Sequence, residues 1–132
     1  MSKQVFNKTM ERTLLILIMI FAENSYTKAQ TSFLGDDVRL FENTKAWKLA
    51  LAVQKEDVAE IKLLCKNDTS LVHFQETTYG QSLLEWAVYI EHFEATKALA
   101  EEGANPNLQS YDGTSAFIHA ADINTTSEYV KL

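Results

Sequence analysis

The side chains able to do chemistry are few and scattered. One cysteine, Cys65, and three histidines, His73, His92 and His119, are the candidate nucleophile, bases and metal ligands in 132 residues. A single cysteine excludes an internal disulfide and any multi-cysteine metal site. The histidines are widely separated and lack the spacing of a zinc-ligand set. The pairs Asp36-Asp37 and Glu101-Glu102 read as solvated charges. Gly35, Gly80, Gly103 and Gly113 are dispersed, so no glycine-rich phosphate loop is formed. Neither a Gly-x-Ser-x-Gly nor a His-Glu-x-x-His motif occurs. The expectation is a non-catalytic chain that needs no cofactor and no metal.

Composition narrows the partners. The length suits one small domain, and 46% hydrophobic with 11% aromatic residues is enough for a packed core. Eighteen acids against twelve bases give net −6, which argues against a nucleic-acid surface built on phosphate contacts. Only four glycines and one proline argue for helices over many tight β-turns.

Charge and hydrophobicity are unevenly spread. Lys3, Lys8 and Arg12 precede an unbroken apolar run from Leu14 to Ala22, and polar residues follow it. Basic leader, short apolar stretch and small residues at Thr27 and Ala29 describe a secretory signal peptide over residues 1–29, cut after Ala29. As a helix the run would span about 13 Å, against a hydrocarbon core of about 30 Å. A buried N-terminal helix would have to explain why the run is apolar on every face. An uncleaved anchor is the weaker alternative. The leader holds four of the twelve bases and two of the eighteen acids, so the remaining 103 residues would carry net −8. The expected localisation is periplasmic or secreted.

Past a lead-in at 30–43, the chain repeats itself. Gly80, Ser82 and Ala87 match Gly113, Ser115 and Ala120 at an offset of 33, and Ala52, Lys62 and Leu64 match Ala87, Lys97 and Leu99 at an offset of 35. A period near 33 residues is that of ankyrin repeats. The residues resemble that family as well. Gly103-Ala104-Asn105-Pro106-Asn107 is similar to its Gly-Ala-Asp-x-Asn turn, Asp112-Gly113-x-Ser115 to its Asp-Gly-x-Thr helix start, and Glu91-His92-Phe93-Glu94 to its inter-helix turn. The resemblance covers residues 44–132 and implies an all-α ankyrin-repeat solenoid of stacked helix-turn-helix units with protruding loops. The units run 44–76, 77–109 and an incomplete 110–132.

Local signals agree. Ser82, Ser115 and Asp57 stand where a side-chain oxygen caps an outgoing helix. Val58, Ile61, Leu64 and Cys65 form one apolar stripe. Gly103 sits where a left-handed residue ends a helix cheaply. Within the resemblance, Cys65 takes a core-leucine position, which implies an inert buried thiol, and His92 and His119 take structural hydrogen-bonding roles. Two departures weaken regularity. Ser82-Leu83-Leu84-Glu85 and Ser115-Ala116-Phe117-Ile118 replace the family's Thr-Pro-Leu-His tetrad. Glu91 stands where glycine is preferred, a poor choice where φ is positive.

The resemblance implies a partner surface on loop tips and the concave face of the first helices. Carried over by position, that surface is Thr78, Tyr79 and Gln81 in the second unit and Tyr111, Asp112 and Thr114 in the third. Gln54, Lys55, Tyr89, Ile90, Asp122 and Ile123 add the helix-turn positions. Tyr79, Tyr89 and Tyr111 suit an interface, since tyrosine buries much area for little rotamer entropy. The alternative is that they pack only on neighbouring loops. The leading expectation is an exported, monomeric module that binds a protein, with no nucleic-acid partner and no stable membrane span after cleavage. The rival is a targeting or regulatory segment of a larger enzyme or toxin, because the third unit reaches Leu132 inside its expected second helix.

Overall fold

A computed structural model describes residues 8, 10–13, 33–123, 129, 131 and 132. The chain divides into two units, residues 1–32 and 33–132. In the first, residues 8 and 10–13 are helical, and the apolar run and cleavage site of the expected leader lie outside the described residues. Among the described residues, no helix is long and apolar enough to cross a membrane.

The second unit is helical. It contains α1 (Trp47–Gln54), α2 (Val58–Asn67), α3 (Leu83–Tyr89), α4 (Phe93–Glu101) and α5 (Ala116–Asp122), with short 3-10 turns at Val38–Phe41 and Thr69–His73. Side chains set the helix starts. Asp57 accepts from the Glu60 amide at 3.1 Å, Ser82 from Glu85 at 3.1 Å and Ser115 from Ile118 at 3.3 Å. Each satisfies one of the amides that a helix start leaves without an intrahelical partner.

The helices pack in two rows. The first row is α1, α3 and α5 in succession; the second is α2 beside α4, with α1 lying on α2 and α3 on α4. Burial follows that order. Residues 83–88 of α3 are all buried, as a helix surrounded by neighbours requires, whereas α5 buries only Ala116 and Ala120. Ala52, Ala87 and Ala120 are buried at matching positions of the first row, where a small side chain permits close approach. Phe41 packs its ring 5.4 Å from that of Trp86, closing the core beside α1.

The turn after α1 repeats, bond for bond, after α3. Lys55, Glu56 and Asp57 donate their amides to Leu51, Val53 and Ala52 at 3.2, 3.0 and 2.9 Å; 35 residues on, Ile90, Glu91 and His92 donate to Trp86, Val88 and Ala87 at 3.0, 3.0 and 2.9 Å. Both central residues have positive φ, 53° at Glu56 and 60° at Glu91. The strain anticipated at Glu91 is therefore present, and it recurs at Glu56. For a non-glycine residue this region costs roughly 1–2 kcal/mol. Glu56 offsets part of that cost, since its Oε1 accepts the Glu94 amide at 3.0 Å at the start of α4.

Candidate functional site

Two loops face the first-row helices. Residues 75–82 lead into α3 and are pinched by a single antiparallel bridge between Gln75 and Ser82. The fully buried Glu76 shapes the turn between them. Its Oε2 accepts the Thr78 amide at 2.6 Å, and its Oε1 accepts the amides of Tyr79 and Gln81 at 2.8 and 2.9 Å. A carboxylate with three backbone donors holds a turn rigidly, so Glu76 aims Thr78 and Tyr79.

The loop into α5 is built around Asp112. Asp112 Oδ1 accepts from the Thr114 amide at 2.9 Å, the Thr114 hydroxyl at 2.6 Å and the Ser110 hydroxyl at 2.8 Å. The Thr114 hydroxyl first, then its amide and Ser110, pull the Asp112 carboxyl down to about 2, so it is ionised at any physiological pH.

Beneath this loop lies Glu85 of α3, with no exposed surface. Its Oε1 accepts from Ser110 Oγ and Thr114 Oγ1, both at 3.0 Å, and meets His119 Nε2 at 3.3 Å. Two hydroxyl protons are thus shared between two carboxylates, one from α3 and one from the loop into α5. That arrangement binds the loop to α3 and α5. A serine nucleophile instead needs its hydroxyl on a base nitrogen, whereas Ser110 Oγ sits on carboxylate and hydroxyl oxygens. His119 also stacks edge-on to Tyr89, ring centres 5.5 Å apart.

The loops are stitched together. The Tyr111 amide donates to Tyr79 O at 2.9 Å, and Gln75 Nε2 donates to Gly80 O and Gln109 O, both at 2.8 Å. Between loops and helices is a cavity of about 330 Å³ that contains seven of the twelve expected binding residues: Thr78, Tyr79, Gln81, Tyr89, Tyr111, Asp112 and Thr114. The three tyrosines stay accessible, with Tyr79 38%, Tyr89 46% and Tyr111 72% exposed.

The chain matches no protein-family model, no curated protein and no solved structure.

The other expected positions fall elsewhere. Gln54 and Lys55 are exposed at the end of α1, and Asp122 is exposed at the end of α5, away from the cavity. Ile90 and Ile123 are half-buried against the core, because an isoleucine at a helix end gains from apolar contact, and neither lines the cavity. Gln81 is only 7% exposed, held inward by the hydrogen bond its backbone amide donates to Glu76 Oε1, and it forms part of the groove wall.

Gly35, Ser110 and His119 line the groove without having been singled out for it. Ser110 and Thr114 flanking Asp112-Gly113 were a legible signal, since hydroxyls around an Asp-Gly turn commonly bond the carboxylate. Gly35 comes from the lead-in and carries no such signal. Cys65 is buried, and burial pushes its thiol up to about 11, leaving it protonated and unreactive. Among the described residues, no group of three or more His, Cys, Asp or Glu side chains is arranged to hold a metal ion. His92 Nδ1 lies 3.1 Å from Val53 O, a structural contact between successive turns.

Proposed function

We propose that this chain is an exported ankyrin-repeat module that binds a protein partner in its tyrosine-bearing groove and performs no catalysis. The observation carrying this reading is convergence. Seven positions carried over from the resemblance, distant in sequence, border one cavity. The two-row packing, the turn repeated after 35 residues and the matched serine caps support the ankyrin-type unit. Stacked units of this kind bury a continuous core and present loops on one face.

The binding residues are the groove tyrosines, with Thr78, Asp112 and Thr114 between them. The Tyr79 and Thr114 hydroxyls and the amides of Thr78, Tyr79, Tyr111 and Thr114 are committed to internal bonds, so the tyrosine rings and the Asp112 carboxylate carry recognition. Export rests on the basic, apolar and small-residue pattern of residues 1–29.

Capture from the exported fraction of the native host tests the reading. The wild-type chain should retain a protein that the folded Tyr79→Ala/Tyr111→Ala double variant loses. Equal retention by both would remove the groove from the interface. The intact mass of the exported form tests the leader: a chain beginning at Gln30 is expected, and an intact N-terminus would overturn cleavage.

A further inference from the structure

We propose that the groove accepts a cationic side chain, a lysine or arginine, presented by a basic segment of the partner. The inference rests on the groove being the partner surface and adds the chemistry of what enters it. Three observations carry it. The first is charge: none of the described lining residues is lysine or arginine, and the exposed carboxylate of Asp112 stands at the rim. Among the described residues, the donors to Asp112 all reach Oδ1, which leaves Oδ2 of this exposed residue as the acceptor for an entering cation. The second is aromatic: Tyr79, Tyr89 and Tyr111 bring three partly exposed rings to the same cavity, and the face of a tyrosine attracts an ammonium or guanidinium through its quadrupole. The third is an unmet bond: Gln81 lines the cavity, is more than nine-tenths buried, and its Oε1 accepts from no donor. A buried carbonyl oxygen without a donor is costly, and an N–H from an entering cation would satisfy it once the amide turns outward.

Size agrees with a side chain. About 330 Å³ lies at the low end of ligand cavities, which run to roughly 1,000 Å³. It accommodates one extended side chain with its water and excludes a large cofactor. The surrounding protein, at net −6 over the full chain and −8 without residues 1–29, would steer a basic segment toward it.

The test uses four capped tetrapeptides that differ at one position, with Arg, Lys, Leu or Glu, titrated into the full chain while the amide signals of Gln81, Tyr111, Asp112 and Thr114 are followed by NMR. The Arg or Lys peptide should bind at least about tenfold more tightly than the Leu and Glu peptides, shifting these signals. Asp112→Asn keeps the Oδ1 acceptor of the turn and should weaken that binding by about five- to tenfold, as expected for a charge-assisted contact at a partly exposed site. Tyr111→Ala should weaken it separately. Equal or tighter binding of the Leu or Glu peptide, an unchanged affinity in Asp112→Asn, or no binding of any peptide at millimolar concentration would each overturn the cation proposal. Loss of partner capture in Tyr79→Ala/Tyr111→Ala alongside any of these results would leave the groove as the interface and reject only its cationic occupant.

Discussion

The amide of Tyr111 donates to the carbonyl of Tyr79 at 2.9 Å, joining two loops 32 residues apart in sequence. Beside that bond the Tyr111 ring lies over Gly80, where an added Cβ would come within 2.7 Å of two ring carbons. Gly80 also has φ +75°. Close approach and backbone conformation therefore both require glycine.

Gly80→Ala should destabilise the fold by about 2–3 kcal/mol, combining a left-handed backbone cost of about 1 kcal/mol with displacement of the ring. Urea denaturation of the single variants and of Gly80→Ala/Tyr111→Ala separates the two. The double variant should recover the steric part only. Strict additivity would exclude the ring contact as a source of strain.

Glu91→Gly should stabilise the chain by about 0.5–1 kcal/mol, because it relieves the φ of 60° against a modest entropic loss in the unfolded chain. Glu56→Gly relieves the same conformation but gives up the bond from the Glu94 amide, so its gain should be smaller or absent. Thermal unfolding of both variants checks the order. A larger gain at position 56 would refute the role assigned to the Glu56 carboxylate.

Glu76→Gln should cost about 2 kcal/mol and loosen the loop at 77–81. A glutamine can present one oxygen, but its NH2 then opposes a backbone N–H that had an acceptor. Faster hydrogen exchange at Thr78, Tyr79 and Gln81, with α2 unaffected, is the expected signature. Unchanged exchange at those amides would show that the carboxylate does not hold the turn.

Two groups give opposite pH dependence. The Asp112 carboxyl is depressed to about 2 in the fold from an ordinary value near 3.8. Its stabilisation is present above that ordinary value and is lost as pH falls toward about 2. The Cys65 thiol is raised to about 11 by burial. The unfolded chain releases that proton first, so stability falls as pH rises from about 9 to about 11. Comparing urea midpoints of wild type with Asp112→Asn from pH 2 to 5, and with Cys65→Ala from pH 8 to 11, checks each sign. Parallel curves in either range would reject the corresponding assignment.

Much of the architecture was legible because its signals are local. Ser82, Ser115 and Asp57 announce helix starts through the acceptor each carries, and the stripe Val58, Ile61, Leu64 and Cys65 turns toward the core as its period demands. Matching Ala52, Ala87 and Ala120 marked the row of first helices. What escaped was long-range. Glu85 reads locally as an ordinary polar residue in the first turn of a helix, and its burial depends on Ser110 and Thr114 arriving 25 and 29 residues later. Gln81 looked like a loop-tip residue, yet the carboxylate of Glu76 draws it inward. The groove tyrosines were legible by type, but the cavity they share depends on how the two loops stack.

The hydroxyl pair held between Glu85 and Asp112 also acts as a registration key. Sliding the 110–114 loop by one residue would bring Tyr111 or Gly113 to a place that a short hydroxyl side chain fills, so the buried carboxylate would lose its matched pair of donors. Misalignment therefore carries a polar cost on top of any lost packing, much as a lone buried asparagine fixes the alignment of a coiled coil. Polar complementarity thus pairs this loop with α3 in particular: 35 residues before Glu85 stands Ala50 in α1, which offers the same two hydroxyls no carboxylate.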